Sequence, residues 1–248
     1  MASLTSAKGR FKTGIGAGNA VSAKIHGGDR HVLLLVDVIR SGRWTTFERI
    51  LVHANANAFR LICDLVPSFG KFKGGTSLLH ACLQCGAPVE IIAKLIGMLP
   101  DKALQAQDCS GRTPLHVAAA CAADPVVLQL LGGADKTSCA IVDRDGRTPL
   151  HLACDGECGV PDENDVCQPV SPPDRDGRSY KAVQALLDAC PDATLVEDED
   201  EVSPLELAIV TEAPIEVVTL LQKATKQALE ERERRRPTKK RRLLDDVI

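Results

Sequence analysis

Blocks of apolar residues recur along the second two-thirds of the chain with the spacing of one face of a helix. Apolar side chains three or four residues apart are typical of amphipathic helices. Pro88, Pro125 and Pro214 stand at the start of three blocks, where the first turn of a helix tolerates proline. The pattern therefore predicts four helices, around Val89–Ile96, Val126–Leu131, Ala182–Leu187 and Ile215–Leu221.

A second set of helices is predicted ahead of these by a motif that recurs in register. Its four copies are Ser77–Cys82, Thr113–Ala118, Thr148–Ala153 and Ser203–Ala208, and their shared leucines lie 36, 35 and 55 residues apart. A Ser or Thr caps the helix start and the following Pro occupies a position that needs no donor. The third residue after the cap, His80, His116, His151 or Glu206, can return a hydrogen bond to it. Each copy therefore predicts a turn followed by two helices.

These motifs resemble the ankyrin repeat, whose units carry a Thr-Pro-Leu-His-x-Ala helix start about every 33 residues. The match is close at Thr113–Ala118 and Thr148–Ala153, and the upstream turn recurs at Asp108–Gly111 and Asp143–Gly146. It is looser at Ser77–Cys82, which lacks the Pro, and at Ser203–Ala208, where Glu206 replaces His. The resemblance implies an all-α solenoid of about four to five stacked helix-turn-helix units joined by short β-turns.

We divide the chain into four regions on this basis. Residues 72–222 hold the repeats, interrupted at about 155–179 by an acidic, Cys-containing insertion. Residues 31–71, with Trp44, Phe47, Ile50 and Leu51 at helical spacing, are interpreted as a degenerate capping repeat. Residues 1–30 are expected to form a flexible basic arm, and residues 223–248 an extended final helix with a basic tail.

Composition narrows the classes of function. The chain has only five Phe, one Trp and one Tyr in 248 residues, which argues against a platform that stacks nucleic-acid bases. The Ala-rich motif helices account for the scarcity of aromatic residues. No apolar run approaches the roughly 20 residues needed to cross a bilayer. The ten cysteines are interpreted as reduced thiols because the chain is neither short nor Cys-dense.

The resemblance implies a non-enzymatic scaffold or adaptor that binds a partner protein on its concave surface, with no cofactor. In ankyrin-like folds the contacts come from the turn tips and the exposed face of the first helix. The residues that this suggests as protein-binding here are Ser110, Arg112, Arg144, Asp145 and Arg147. Leu115 and Leu150 are expected to be buried between repeats.

A competing hypothesis places a zinc-binding site in the insertion. His151, Cys154, Cys158 and Cys167 are residue types that ligate zinc, although the first two also fit ordinary repeat positions. Cys82 and Cys85 form an isolated CxxC without a second pair at finger spacing. We therefore predict no metal site and keep a zinc-binding regulatory module as the alternative.

The charges are unevenly distributed, although the net charge is only −3. Seven of the nine residues from 234 to 242 are basic, namely Arg234, Arg235, Arg236, Lys239, Lys240, Arg241 and Arg242. Such a cluster is typical of a nuclear-import signal read by an import receptor. A chromatin-associated factor held by this tail is a further alternative, but nucleic-acid binding is not favoured. The expected location is nucleus or cytoplasm, unless the basic N-terminal arm is an organelle transit peptide.

Overall fold

A computed structural model describes residue 35 and residues 37–53, 77–155 and 175–235 of the 248-residue chain. Residues 37–40 are helical, and helix α1 follows at Trp44–His53. Four helix pairs come next. They are α2 (Leu78–Gln84) with α3 (Val89–Met98), α4 (Pro114–Ala120) with α5 (Pro125–Ala134), α6 (Pro149–Cys154) with α7 (Arg175–Ala189), and α8 (Pro204–Val210) with α9 (Ile215–Arg235).

The helices stack in two layers. Each first helix packs on the first helix of the next pair, from α2 through α4 and α6 to α8, and the second helices α3, α5, α7 and α9 stack likewise. Short 3₁₀ turns follow three of the second helices, at Asp101–Leu104, Lys136–Ala140 and Pro191–Leu195. The predicted all-α solenoid of helix-turn-helix repeats is confirmed.

The first helices are narrow because alanine and other small residues follow their caps. Ala118, Ala119 and Ala120 are all buried, so the neighbouring first helices approach closely on both sides. Leu115 and Leu150 are each 1% exposed, which confirms that the repeat leucine lies between stacked units. The core therefore needs few aromatic side chains.

The second helices also pack closely, as Gly132 on α5 shows. A Cβ atom placed there would lie 2.9 Å from the Cβ of Ala189 on α7 and 3.5 Å from Cys139 Sγ. Real Cβ atoms essentially never approach to within 3.0 Å of another heavy atom. Glycine at this position therefore allows α5 and α7 to pack together.

Helix α1 lies beside the first complete repeat, at the N-terminal side of the described stack. Phe47 and Leu51 are buried, and Trp44 contacts Phe47 edge to face with 6.0 Å between ring centroids. Lys94 on α3 forms an ion pair with Glu48 on α1. Residues 37–40 and 44–53 are helical, and the assignment of 31–71 as a capping repeat stays a prediction.

Two predicted regions fall largely outside the described residues. The described residues do not include the N-terminal arm (1–30), most of the insertion (156–174) or residues 236–248. Helix α7 begins at Arg175, within the stretch assigned to the insertion.

Candidate functional site

The turns ahead of α4, α6 and α8 share one geometry, built on an aspartate. Asp143 Oδ1 accepts hydrogen bonds from the backbone N–H groups of Asp145 (3.0 Å) and Arg147 (2.9 Å). Asp108 makes the same pair of contacts in the preceding turn, and Asp198 in the following one. A side chain that accepts hydrogen bonds from two backbone N–H groups holds the turn in one conformation.

An arginine at the end of two of these turns balances the aspartate charge. Arg112 reaches Asp108 Oδ2 at 3.0–3.1 Å, and both side chains are largely buried. Arg147 lies 3.6 Å from Asp143 Oδ2 and 2.6 Å from Asp145 Oδ2. These two guanidinium groups therefore hold the turns together, and their role as contacts for a partner stays a prediction.

Neighbouring turns are joined through their backbones. Arg144 N–H donates to the carbonyl of Ser110 (3.0 Å), and Glu199 N–H donates to the carbonyl of Asp145 (3.1 Å). Gln107 adds side-chain hydrogen bonds to the carbonyls of Gly111 (2.8 Å) and Val142 (3.3 Å). Three successive turns thus form one continuous rim, defined here as residues 108–112, 143–147 and 198–202.

The five residues predicted to bind protein all lie on this rim. Arg144 and Asp145 are exposed at the tip of the middle turn, and Ser110 is half-buried beside them. The candidate residues chosen from the sequence did not include Gln107 or any residue of the third turn. The signal for the third turn was the recurring aspartate, since Asp198 stands at the place of Asp108 and Asp143 relative to each helix start.

The third turn departs from the others in charge and conformation. Val202 replaces the arginine, so the acidic run from Glu197 to Glu201 has no basic partner within its own turn. Glu201 has φ +60°, while Gly111 and Gly146 occupy the matching positions with φ +76° and +73°. The rim therefore ends in a strongly acidic turn that contains one strained residue.

The three motif histidines are structural groups. The backbone N–H of each cap residue, Ser77, Thr113 or Thr148, donates to Nδ1 of the histidine three positions on, at 3.0–3.3 Å. Since an N–H can only donate, Nδ1 carries no proton and the neutral ring holds its proton on Nε2. Nε2 then donates to a carbonyl in the next turn, from His80 to Arg112 (2.9 Å), His116 to Arg147 (3.0 Å) and His151 to Val202 (3.2 Å).

Burial keeps these rings neutral. It lowers the pKa of His116 to about 4 and also lowers the pKa values of His80 and His151, against smaller opposing effects from the backbone carbonyl that each ring contacts. Both nitrogens of every ring are used by the backbone. None of the three is arranged as a general base or has a nitrogen left for a metal ion.

The residues considered for zinc are divided between the core and the undescribed insertion. Cys154 is buried, and burial raises the pKa of its thiol to about 12. Cys82 is buried as well, while Cys158 and Cys167 lie outside the described residues. Among the residues that the structure does describe, no three His, Cys, Asp or Glu side chains are grouped to hold a metal ion.

Only part of the basic tail can be located. Arg234 and Arg235 are exposed at the end of α9, where Arg235 pairs with Glu231 at 3.0 Å and Arg234 lies 3.7 Å from Glu230. The other five members of the predicted import signal, Arg236, Lys239, Lys240, Arg241 and Arg242, lie outside the described residues.

The family model for ankyrin repeats matches residues 78–160 as three copies. This part of the chain consists of ankyrin repeats. Ankyrin repeats generally mediate protein–protein interaction, and the family is typically non-enzymatic. We found no match to the chain among curated proteins.

The structure extends the ankyrin pattern beyond the matched residues. Ser203 caps α8 with a capping box to Glu206, and the preceding turn has the aspartate geometry of the matched copies. Helices α8 and α9 therefore form a further ankyrin unit. No helix of the described ankyrin array is long and apolar enough to span a membrane.

Proposed function

We propose that this ankyrin-repeat protein is a non-enzymatic adaptor that binds a partner protein along the rim. The observation that supports this is the continuity of the rim. Backbone hydrogen bonds join its three turns, and the side chains of Arg144 and Asp145 project from a support that is already ordered. A partner bound there would meet charged groups on a rigid backbone, so little ordering entropy would be lost on binding.

The charges along the rim would select the partner. The middle turn presents Arg144 beside Asp145, and the third turn presents Glu199, Asp200 and Glu201 and contains no basic residue of its own. Charge arrangements of this kind govern association rate and specificity more than affinity. We expect a partner whose contact surface carries basic groups opposite the third turn.

The proposal is tested by affinity purification of the tagged full-length chain followed by quantitative proteomics. The variant Arg144→Glu with Asp145→Lys reverses both exposed charges of the tip, and Gln129→Glu on the exposed face of α5 is the control. A partner that is captured by the parent and the control but lost by the tip variant would support the rim. Equal capture by all three proteins would contradict it.

We further propose that residues 234–242 direct the chain to the nucleus through an import receptor. Seven basic residues in nine support this, with Arg234 and Arg235 exposed where α9 ends. A chain that lacks residues 232–248 is expected to lose import factors and nuclear accumulation while it keeps its rim partner. Nuclear accumulation that persists after this truncation would contradict the proposal.

A further inference from the structure

The outer side of the fourth repeat carries aliphatic residues that nothing covers in the described part of the chain. Ile209 and Val210 end α8, and Ile215 begins α9 across a loop of four residues. Their exposed fractions are 54%, 77% and 70%. Leu205, one helical turn before Ile209, is half-buried. We call these four residues the end face.

Three end-face residues, Leu205, Ile209 and Val210, occupy positions that are buried in the second repeat. The second and fourth repeats can be aligned by a loop hydrogen bond that both contain. Ala123 N–H donates to the carbonyl of Ala118 in the second repeat, and Ala213 N–H donates to the carbonyl of Ala208 in the fourth. Ile209 and Val210 then correspond to Ala119 and Ala120, which are 6% and 9% exposed. Leu205 likewise corresponds to Leu115 and Leu150.

The residue types as well as the exposure distinguish this end of the stack. A terminal repeat normally presents a polar outer face, because no neighbour buries it. Here larger aliphatic residues replace the alanines of the second repeat at two exposed positions. Clustered exposed aliphatic residues mark interaction surfaces in soluble proteins.

The surrounding charge indicates what would bind there. Residues 191–222 contain nine acidic residues and no Lys, Arg or His. Glu206, Glu212 and Glu216 lie on the same two helices and their connecting loop as the end face, and all three are exposed. An apolar patch with carboxylates on the helices and loop that carry it is complementary to a segment that combines apolar and basic side chains.

We propose that the end face binds an amphipathic basic helix of a partner protein. The inference rests on the protein-binding function proposed above but assigns it a second surface, distinct from the rim. A helix is the natural occupant because helices of the next repeat cover the equivalent positions in the preceding units. A second copy of the chain is disfavoured, since pairing two end faces would bring two sets of carboxylates together.

The test uses the full-length chain and a labelled synthetic peptide of about 18 residues, with leucine on one helical face and lysine on the other. Fluorescence anisotropy gives its Kd for the parent and for the variant Val210→Ser with Ile215→Ser. Val52→Ser is the matched control, because Val52 is 71% exposed on α1 at the other end of the stack. We expect about tenfold weaker binding for the double variant and no change for the control.

A second pair of variants tests the charge. Glu216 and Glu90 occupy the same position in the fourth and first complete repeats, and both are exposed in the first turn of a second helix. We expect Glu216→Gln to weaken peptide binding about twofold and Glu90→Gln to leave it unchanged. A matched peptide with glutamate in place of lysine is expected not to bind.

Three results would overturn the proposal. Equal Kd values for the parent and the Val210/Ile215 variant would show that the end face is not the site. Concentration-dependent dimerisation abolished by the same variant would identify a second copy as the occupant. Binding seen only after removal of residues 236–248 would assign the face to the chain's own tail. None of these results depends on Arg144 or Asp145. A failure of the end-face proposal can therefore be distinguished from a failure of the proposal that the rim binds a partner.

Discussion

His116 Nε2 lies 3.0 Å from the carbonyl oxygen of Arg147, so the helix start of one repeat is bonded to the turn of the next. The same ring accepts the backbone N–H of its own cap residue, Thr113, at Nδ1. One neutral imidazole thus satisfies a donor in its own repeat and an acceptor in the following one. This contact ties the rim to the first layer of helices.

Replacing His116 by glutamine is expected to destabilise the stack by about 1–3 kcal/mol at neutral pH. Glutamine can accept from the Thr113 N–H, much as Glu206 accepts from Ser203 N–H at 2.9 Å, but we expect its shorter side chain not to reach the Arg147 carbonyl. Urea denaturation measures the loss. A variant within 0.3 kcal/mol of the parent, well below the roughly 1 kcal/mol of an ordinary hydrogen bond, would show that the inter-repeat bond is unimportant.

The same variant is expected to change the pH dependence of stability. The folded pKa of His116 is about 4, below the unfolded value of about 6.5, so the unfolded chain takes up a proton first as pH falls. The stability that the neutral ring supplies is complete above about pH 6.5 and is lost on acidification towards about pH 4. Between about pH 7 and about pH 4.5, His116→Gln should lose about 2 kcal/mol less than the parent. Identical losses would mean that the ring is charged in the folded state.

Leu115→Ala and Leu150→Ala are each expected to lower the free energy of unfolding by about 2–5 kcal/mol, since both side chains are almost fully buried between repeats. Leu205→Ala is the matched control, at the same repeat position with no described repeat beyond it. Its cost should be smaller because Leu205 is only half-buried. Thermal and urea denaturation compare the three variants, and equal losses would mean that a neighbour covers Leu205 in the folded chain.

Gly132→Ala and Gly133→Ala are expected to act in opposite directions. A methyl group at Gly132 would meet Ala189 on α7, and forcing the two helices apart should cost about 1–3 kcal/mol. At Gly133 nothing lies within 4 Å of the added Cβ, so alanine should stabilise the helix by about 0.5–1 kcal/mol. Melting temperatures test the contrast. A stabilising effect at both positions would show that α5 and α7 can separate freely.

Glu201→Gly is expected to stabilise the protein by up to about 1 kcal/mol, because glycine adopts its positive φ without the penalty of a Cβ. Glu201→Gln keeps the Cβ and removes only the charge, so it separates conformation from repulsion within the acidic turn. Gly146→Ala tests the reverse change. Its Cβ would lie 2.7 Å from the backbone N of Glu199, and it should destabilise strongly. Equal stability of the Gly and Gln variants would assign the effect to charge.

Much of the fold follows from local chemistry in the sequence. The caps Ser77, Thr113, Thr148 and Ser203 and the apolar spacing of the second helices were sufficient to predict both helical layers, because each signal acts within a few residues. The helix at Trp44–His53 was predicted in the same way. Gly132 could not be interpreted from the sequence, since its importance comes from Ala189, more than fifty residues away.

The site was predicted less well than the fold. The sequence indicated the turns, but the side-chain directions of Arg112 and Arg147 depend on Asp108 and Asp143, which recruit the guanidinium groups into the turn. The exposure of Ile209 and Val210 also could not be predicted from local sequence patterns. Apolar residues at the end of a repeat helix are normally buried by the next unit. The described residues contain no unit beyond α8 and α9, so these two side chains are exposed.

The contact between His151 and the Val202 carbonyl spans 51 residues, whereas the equivalent contacts of His80 and His116 span 32 and 31. The same donor and acceptor atoms meet in all three contacts, so the register of the repeats is the same whether 31 or 51 residues separate the two partners. The distance between units is therefore set by the joins and is independent of how much chain runs between them. A change in the length of chain between Asp155 and Arg175 is therefore expected to leave the joins between the stacked units in place.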